Sequence, residues 1–377
     1  MLLADTFYLF VFNLILGLIL GSVFYRADFC MAGMFRDVFL FRNWSMLRAL
    51  AVSLAAAMVL FFIIRQSGLV VFHRPPTYKY PSIATLAGGL VFGVGMVLAG
   101  GCVVGTLYKM ASGKLASLIA FCGIVAGSLI YAEFYPLAES FRRETVIADY
   151  ILVSDFSPGA EAALVAILSV LSIMVFARWA RQGKFRYEAF AEGYLKPWKA
   201  ALIIALLNAA ALIFSGWPMG VTTAYAKLGA FLENFFAPSH TNGLEYFNRN
   251  CVSAVTASGL KVAGGAGPRL DIIFSTEMAL VFGIVAGAFA TAVSFKEFNI
   301  YGFPPRRQAV SAFVGGLLMA FGGRTASGCN LKFLLGALPL IALQGIVFVA
   351  GMTGGAYVGT VILKRIVIKP AKEGKDA

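Results

Sequence analysis

One glycine-rich stretch occurs twice in this chain, and the repeat constrains the fold more than any other feature. Residues 88–102, GGLVFGVGMVLAGGC, match residues 315–329, GGLLMAFGGRTASGC, without a gap when the sequence is shifted by 227 positions. Seven of the fifteen positions are identical, including the final Gly-Cys. The match continues sparsely beyond the cysteine, as far as Gly127 and Gly354. Such a repeat in an apolar chain is typical of a membrane protein in two halves, with its site where the halves meet.

Composition places the repeat in a membrane rather than in water. Of 377 residues, 60% are hydrophobic and only 13% are charged, whereas soluble domains carry roughly a quarter charged residues. Apolar runs near the length of about 20 residues that crosses a bilayer recur throughout the chain. We therefore predict an all-α polytopic membrane protein. Its nine spans are expected at about 6–27, 47–64, 83–101, 115–132, 160–180, 199–215, 275–294, 309–326 and 339–363.

Four short segments interrupt this series of spans. They follow spans one, three, six and eight, and we predict that each forms a short re-entrant or boundary helix, the last three at 103–112, 222–236 and 330–337. The layout is four spans (residues 1–135), a linker with one span (136–197) and four spans with a basic tail (198–377). Because the linker adds one crossing, the second half enters the membrane in the opposite orientation. The repeat is then inverted, an arrangement that many transporters use for a site at the membrane midplane.

The distribution of charge predicts the orientation of the chain. A net charge of +13 would suggest nucleic acid as the partner of a soluble protein, but here the positive-inside rule is the better explanation. Lysine and arginine concentrate in 178–199 and in the tail after residue 363, whereas 133–155 is acidic. We expect a cytoplasmic C-terminus, an external N-terminus and no nucleic-acid partner. No lysine or arginine precedes Arg26, so the first run is interpreted as a retained span and not as a cleavable signal peptide.

The five cysteines, at positions 30, 102, 122, 251 and 329, show neither a CxxC motif nor Cys/His zinc spacing. Zinc or haem would also be short of ligands, since the only histidines are His73 and His240. An odd number of widely spaced cysteines is not a disulfide framework either. We expect no metal and no cofactor.

The two Gly-Cys turns suggest a pathway through the protein. Gly101 and Gly328 allow the backbone to turn sharply just before Cys102 and Cys329. A short helix that starts after each cysteine would direct its free N–H groups toward the thiol, which is an anion-binding geometry. Non-helical backbone at membrane depth is tolerated only inside protein or along a cavity. The same reasoning gives Cys30, at the end of the first span, as a third thiol.

Structural roles are the alternative for these residues. Glycine-rich runs often mean close helix packing, and a buried cysteine is often only a small hydrophobic residue. The repetition of Cys102 at Cys329 favours a function for both, whereas we expect no role for Cys122 or Cys251.

Two arginines and an asparagine lie near the same turns. An arginine inside a membrane usually faces a cavity or a partner, which is the functional interpretation of Arg36 and Arg324. Extension of the side chain to the interface is the alternative, and it is favoured for Arg36. Asn330 is expected either to cap the short helix that follows it or to contact a ligand.

Three segments resemble the cysteine signatures of the YeeE/YedE family of bacterial sulfur transporters: GSVFYRADFCMAGMFRD (21–37), GVGMVLAGGCVVGTLYK (93–109) and GGRTASGCNLKFLLG (322–336). The resemblance implies nine spans, four short helices and uptake of thiosulfate across the inner membrane. It also implies that thiosulfate passes between the thiols of Cys30, Cys102 and Cys329 by S–H···S contacts, through a narrow hourglass-shaped centre. For some members the resemblance implies selenium metabolism, or a cytosolic sulfur carrier resembling TusA as partner. Residues 237–270 do not match the family pattern.

The resulting hypothesis is a transporter, not an enzyme, for thiosulfate or a closely related small sulfur anion. A soft terminal sulfur suits weak S–H donors, because binding must be loose enough to release the ion. Two alternatives stay open: a selenium-compound transporter of the same family, and a membrane thiol redox protein whose cysteines pair under oxidant. A Cu(I) permease is disfavoured because no MxxxM or CxxC cluster lies near the thiols.

Overall fold

A computed structural model describes residues 2–70, 75–184, 193–255 and 261–367. The helices in chain order are α1 (Leu2–Ala27), α2 (Met31–Phe41), α3 (Ser45–Gln66), α4 (Ile83–Leu98), α5 (Val103–Ala111), α6 (Leu115–Glu133), α7 (Tyr135–Glu144), α8 (Val153–Phe156), α9 (Pro158–Arg181), α10 (Pro197–Ser215), α11 (Thr222–Phe236), α12 (Pro238–Gly243), α13 (Glu245–Asn248), α14 (Ala279–Ser294), α15 (Arg306–Thr325) and α16 (Leu343–Ile362). π-Helical turns lie at Phe274–Met278, Leu331–Ala337 and Leu363–Val367. One antiparallel hairpin pairs β1 (Asn250–Val255) with β2 (Lys261–Gly265).

The prediction of an all-α polytopic membrane protein is confirmed. Each of the nine predicted spans falls on a long helix, and eight helices in the described part of the chain are long and apolar enough to cross a membrane. The remaining predicted span, the eighth, is α15, which is less apolar than these eight helices. It packs against α4 and α6.

The four short segments are also where the sequence predicted them. Helices α2, α5 and α11 follow spans one, three and six, and the π-helix Leu331–Ala337 follows span eight. The sequence did not predict α7, α12, α13 or the β-hairpin, which lie at loops between spans.

The repeated glycines bring α4 and α15 into backbone contact. A methyl group added to Gly95 would lie 2.7 Å from the carbonyl oxygen of Gly315, and one added to Gly88 would lie 2.6 Å from that of Gly322. Residue numbers fall along α4 as they rise along α15, so the two helices are antiparallel. Gly315 and Gly322 are the repeat counterparts of Gly88 and Gly95, so the two contacts are equivalent. The glycine spacing therefore has the packing role that small residues have in membrane helices.

Parallel neighbours complete this core. Gly89 and Gly93 on α4 face the carbonyl groups of Phe348 and Met352 on α16, and α6 packs in the same way along α15. Helix α1 runs parallel to α14, and α3 contacts α10 as the equivalent pair. This paired pattern agrees with an inverted repeat. The division into residues 1–135, 136–197 and 198–377 stays a prediction.

The second half carries one residue more than the ungapped sequence match suggests. Gly127 packs on the carbonyl group of Leu317, and Gly355 packs on that of Leu90, the repeat counterpart of Leu317. The counterpart of Gly127 is therefore Gly355, whereas an added methyl group at Gly354 would meet no atom within 4 Å. The register of the repeat shifts by one between the cysteine and the last helix.

The extra residue coincides with a change of helix type. The segment after Cys102 is the α-helix α5, but the segment after Cys329 includes the π-helix Leu331–Ala337. A π-helix closes its hydrogen bonds over five residues instead of four and so takes up an inserted residue without ending the helix. Such insertions occur frequently at functional sites.

Two neighbouring glycines on α16 test this packing. We expect Gly355→Ala to destabilise the protein by about 1–3 kcal/mol, because its methyl group would overlap the backbone of α4. Gly354→Ala on the same helix turn should leave stability close to that of the wild type. Thermal unfolding of both purified variants measures the difference, and equal midpoints would contradict the assigned register.

Candidate functional site

Three cysteines lie at the breaks between the spans and the short helices. Cys30 and Cys102 directly precede α2 and α5, and Cys329 precedes the π-helix Leu331–Ala337. Their exposed fractions are 5%, 1% and 0%, and all three are free thiols. The three predicted pathway residues therefore lie inside the protein, each at the N-terminus of a short helix.

The first two thiols lie close together beside Gly105. The backbone N–H of Gly105 donates to the Cys102 sulfur over 3.2 Å, and the Cys30 thiol interacts with the Cys102 thiol. A methyl group on Gly105 would lie 2.8 Å from the Cys30 sulfur and 3.3 Å from that of Cys102. The absence of a side chain here leaves the space in which the two thiols meet. On the far side of Cys30, the ammonium group of Lys109 is 3.7 Å from the sulfur.

The third thiol is surrounded by hydrogen-bond donors. The backbone N–H groups of Leu331 and Lys332 lie near the Cys329 sulfur, as does the hydroxyl of Thr222 at the start of α11. This is the arrangement of donors at a helix N-terminus that favours anions. The surroundings of Cys329 therefore include two helix N-termini, that of the π-helix Leu331–Ala337 and that of α11.

Asn330 and Tyr225 connect Cys329 with Cys102. The side-chain oxygen of Asn330 accepts from the N–H of Leu331 over 3.1 Å, while its buried amide group lies against the Cys102 thiol. Asn330 thus both caps the helix and lies on the predicted pathway. The ring of Tyr225 lies near both thiols, and its hydroxyl donates to the carbonyl oxygen of Val103 over 3.1 Å.

The sharp turns lie one residue earlier than predicted. The left-handed backbone is at Gly100 (φ +70°) and at its repeat counterpart Ser327 (φ +69°), and not at Gly101 or Gly328. Gly101 has ordinary contacts around its added methyl group. Gly328 is required for space instead, because a methyl group there would lie 2.6 Å from the side chain of Lys332.

Each turn is bound by a lysine of the following short helix. Lys109 donates to the carbonyl oxygen of Gly100 over 3.2 Å, and Lys332 donates to that of Ser327 over 2.6 Å. Lys332 also donates to Thr77 and lies 5.1 Å from the ring of Tyr78. We call the thiols of Cys329, Cys102 and Cys30 the row of thiols. A lysine amino group therefore lies at each end of this row.

A polar cavity of about 100 Å³ lies next to Cys329, and we call it the Cys329-side cavity. It holds roughly the volume of several water molecules, which is the size range of a small anion. Four cationic side chains and one carboxylate are among its lining residues: Lys79, Arg249, Arg324, Lys332 and Glu277. Arg324 donates to the hydroxyl of Tyr246 over 2.8 Å. The prediction that Arg324 faces a cavity is thus consistent with its position.

Part of the stretch 237–270 forms one wall of this cavity. Tyr246, Arg249 and Val252 from this stretch line it, and Arg249 lies 3.3 Å from the carboxylate of Glu139 on α7. Burial raises the pKa of Glu139, but the hydrogen bond from Arg142 and nearby positive charges outweigh it and lower the pKa to about 2. The carboxylate is therefore ionised at neutral pH and holds the wall in place.

A second cavity, the Cys30-side cavity, lies at the other end of the row of thiols. Its volume is about 490 Å³. Its charged lining residues are Asp28, Lys109, Lys114, Lys296 and Glu297. Lys109 belongs to this cavity and also contacts Cys30, so the thiol lies directly behind the cavity wall.

Not every predicted residue joins the site. Arg36 forms an ion pair with Asp37 at 2.9 Å, has a side chain one-third exposed and lines neither cavity, which agrees with the interfacial alternative. Cys122 is exposed on the surface of α6. The side chain of Cys251 lies outside the described residues, as does His73.

Sequence reasoning missed Thr222, Tyr225, Glu277, Lys109 and Lys332. For the two lysines a signal was present, because each is the only charged residue of its short apolar helix. Such a residue in a membrane segment usually has a partner or faces water.

One group of metal-ligand side chains is present among the described residues. Glu133, Glu233 and His240 bring their ligand atoms within 4.8 Å of one another at the surface. The hydrogen bond to Glu233 raises the pKa of His240. The group joins the ends of α6 and α11 to α12, and an imidazolium between two carboxylates explains it without a metal.

Comparison with known proteins gives a consistent result. Residues 26–358 match the family described as Sulphur transport. The chain is 25% identical to the thiosulfate transporter TsuA of Escherichia coli over 359 residues, covering 93% of this chain and 90% of the relative. It is 27% identical to TsuA of Spirochaeta thermophila over 349 residues, or 88% and 92% of the two chains. The probable transporter YedE of Salmonella typhimurium is 27% identical over 174 residues, covering 45% and 41%.

The contact of two thiols at Gly105 can be tested without removing either sulfur. We expect Gly105→Ala to reduce transport at least about tenfold, because its methyl group would fill the space between Cys30 and Cys102. Gly33→Ala is the matched control, since its methyl group would meet Cys30 only at an ordinary 3.7 Å. Uptake of ³⁵S-labelled thiosulfate, the ion for which the two TsuA relatives are named, into cells with equal membrane expression measures both. Equal uptake would show that the thiols do not need this space.

Proposed function

The chain belongs to the Sulphur transport family of membrane transporters, and from this premise we propose that it imports thiosulfate through the row of three thiols. Two relatives that cover most of the chain are named thiosulfate transporters, which supports this substrate. The single observation that carries the proposal is the placement of Cys329, Cys102 and Cys30 between two cavities. The family consists of transporters and not of enzymes, and no covalent step is needed.

Entry is proposed at the Cys329-side cavity. Its cationic lining attracts an anion, and an environment with few water molecules strengthens that attraction. The N–H groups of Leu331 and Lys332 and the hydroxyl of Thr222 then receive the ion beside Cys329. In this position the oxygens of the ion accept hydrogen bonds from these donors, and its terminal sulfur lies against the Cys329 thiol.

Transfer between the thiols needs only weak hydrogen bonds. A thiol is a poor donor and a polarisable group, so it binds a soft sulfur atom without holding it. The Asn330 amide group adds a donor between Cys329 and Cys102, and the Cys30 thiol follows beside the Cys102 thiol. Conduction requires several sites of moderate strength, so that an ion which enters also leaves.

Release is proposed at the Cys30-side cavity, on the cytoplasmic side of the bacterial inner membrane. This orientation follows from the positive-inside rule, which places the N-terminus outside and the C-terminus inside. Part of the basic sequence that supports it lies outside the described residues. A cytosolic carrier resembling TusA stays a prediction from the family resemblance, and it would meet the protein at this cavity.

The function is tested by replacing single thiols. We expect Cys102→Ala and Cys329→Ala each to abolish growth of an uptake-deficient bacterium on thiosulfate as its sole sulfur source. Cys122→Ala is the control, because this cysteine is exposed and belongs to neither cavity. All variants are compared at equal membrane expression.

Three outcomes would contradict the proposal. Growth of all variants would exclude a role for the thiols. A wild-type protein that reaches the membrane but does not support growth would exclude thiosulfate, and selenium compounds would then be tested in the same strain. If oxidant instead joined Cys30 to Cys102 during turnover, the membrane thiol redox protein would be the better explanation.

A further inference from the structure

The N-terminus of α11 already holds a negative charge. The carboxylate of Glu277 accepts hydrogen bonds from the backbone N–H groups of Thr223, at 2.6 Å, and Ala224, at 3.3 Å. It also accepts one from the Thr223 hydroxyl over 3.2 Å. Helix α11 has 15 residues, so its N-terminus is a strong place for an anion. The position that an oxyanion would take is filled by the protein itself.

A second feature points to a ligand at this place. The hydroxyl of Thr222, the first residue of α11, is buried and makes no hydrogen bond to a nitrogen or oxygen atom among the described residues. It lines the Cys329-side cavity and faces the Cys329 thiol, which is a weak hydrogen-bonding group. Buried hydroxyl groups in proteins are normally hydrogen-bonded, so this hydroxyl can bind a ligand that enters the cavity.

Without the Glu277 carboxylate, the charged groups around its position would favour binding of a hard oxyanion there. Lys332 interacts electrostatically with Glu277, Lys79 and Arg324, and Glu277 is the one carboxylate among the described lining residues of this cavity. Free N–H groups, a hydroxyl and an ammonium group would then converge on one small volume. These are the donors that bind a tetrahedral dianion through its oxygens.

We propose that Glu277 is a specificity-determining residue that occupies this oxyanion site and thereby excludes sulfate. Sulfate and thiosulfate are tetrahedral dianions that differ in one atom, the terminal sulfur. A site built from N–H groups and cations contacts only the oxygens of such an ion, so it binds both sulfate and thiosulfate. With that site filled by a carboxylate, selection falls to the thiols, which bind the terminal sulfur. This step rests on the proposed function, because it takes thiosulfate as the substrate.

The position of the carboxylate is well suited to this role. Glu277 is held on the π-helix Phe274–Met278 and is 8% exposed. Gly220 packs closely on it, since a methyl group there would lie 3.1 Å from its oxygen. An incoming sulfate would have to displace three hydrogen bonds and meet a like charge. A terminal sulfur at Cys329 does not need that position.

The test measures sulfate binding to the purified full-length protein, and not transport. We expect Glu277→Gln and Glu277→Ala to bind sodium sulfate at least about tenfold more tightly than the wild type, which is about 1.4 kcal/mol. Sulfate should raise the thermal midpoint of both variants and leave that of the wild type almost unchanged. Glu161→Gln is the control, because this buried carboxylate pairs with Arg65 away from either cavity.

Each outcome decides the proposal. Sulfate binding gained by both Glu277 variants and not by the control supports it. No gain, or an equal gain in the control, overturns it, as do variants that stay unfolded in sulfate buffer as well as in chloride buffer. Failure of the proposed function appears separately, as absence of thiosulfate uptake by the wild type, and leaves the sulfate measurement interpretable.

Discussion

The structure depends on backbone contact between helices that only glycine allows. Where Gly88 and Gly95 meet α15, the carbonyl groups of one helix occupy the space of the missing side chains of the other. Such contact fixes both the distance between the two helices and their axial register, because two backbone surfaces pack together in far fewer ways than two layers of flexible side chains. The ends of α4 and α15 are then held in position, and with them the turns that carry Cys102 and Cys329. The site is a consequence of the packing.

The symmetry of the repeat accounts for part of the site, and the differences between the two halves account for the rest. The antiparallel helices bring Cys102 and Cys329 toward each other, and each turn is closed by a lysine. The third thiol has no counterpart: Cys30 precedes α2, whereas Val221 precedes α11. In the second half the corresponding space belongs to Thr222 and Glu277. The row of thiols therefore ends in the Cys30 thiol on one side, and in the Thr222 hydroxyl and the Glu277 carboxylate on the other.

Much of this arrangement could be read from the sequence, because its signals are local. Apolar length located the spans, and the repeat indicated where the thiols lie. What the sequence could not show depends on contacts between distant residues. Glu277 contacts Thr223, which is 54 positions away in the sequence. Gly105 leaves space for two thiols whose positions in the sequence are 72 residues apart. The left-handed turn was placed at Gly101 because glycine is the usual residue for it, but Ser327 adopts the same backbone in the second half. The sequence 237–270 has no periodic pattern, and only tertiary contacts place Tyr246, Arg249 and Val252 of this stretch in a cavity wall.

The two lysine-bound turns also define an electrical profile along the proposed pathway. Lysine amino groups lie at both ends, at Lys332 and at Lys109, and the groups described between them are thiols, a hydroxyl and an amide. An ion that leaves one lysine must therefore cross a short region without a full countercharge before it reaches the other. The energy of placing charge in such a region falls as the ionic radius grows, and it falls further when the electron cloud deforms easily. On the proposed pathway, the barrier in the middle of the protein is thus lowest for bulky, polarisable anions, and this effect of size and softness adds to the selection by the thiols.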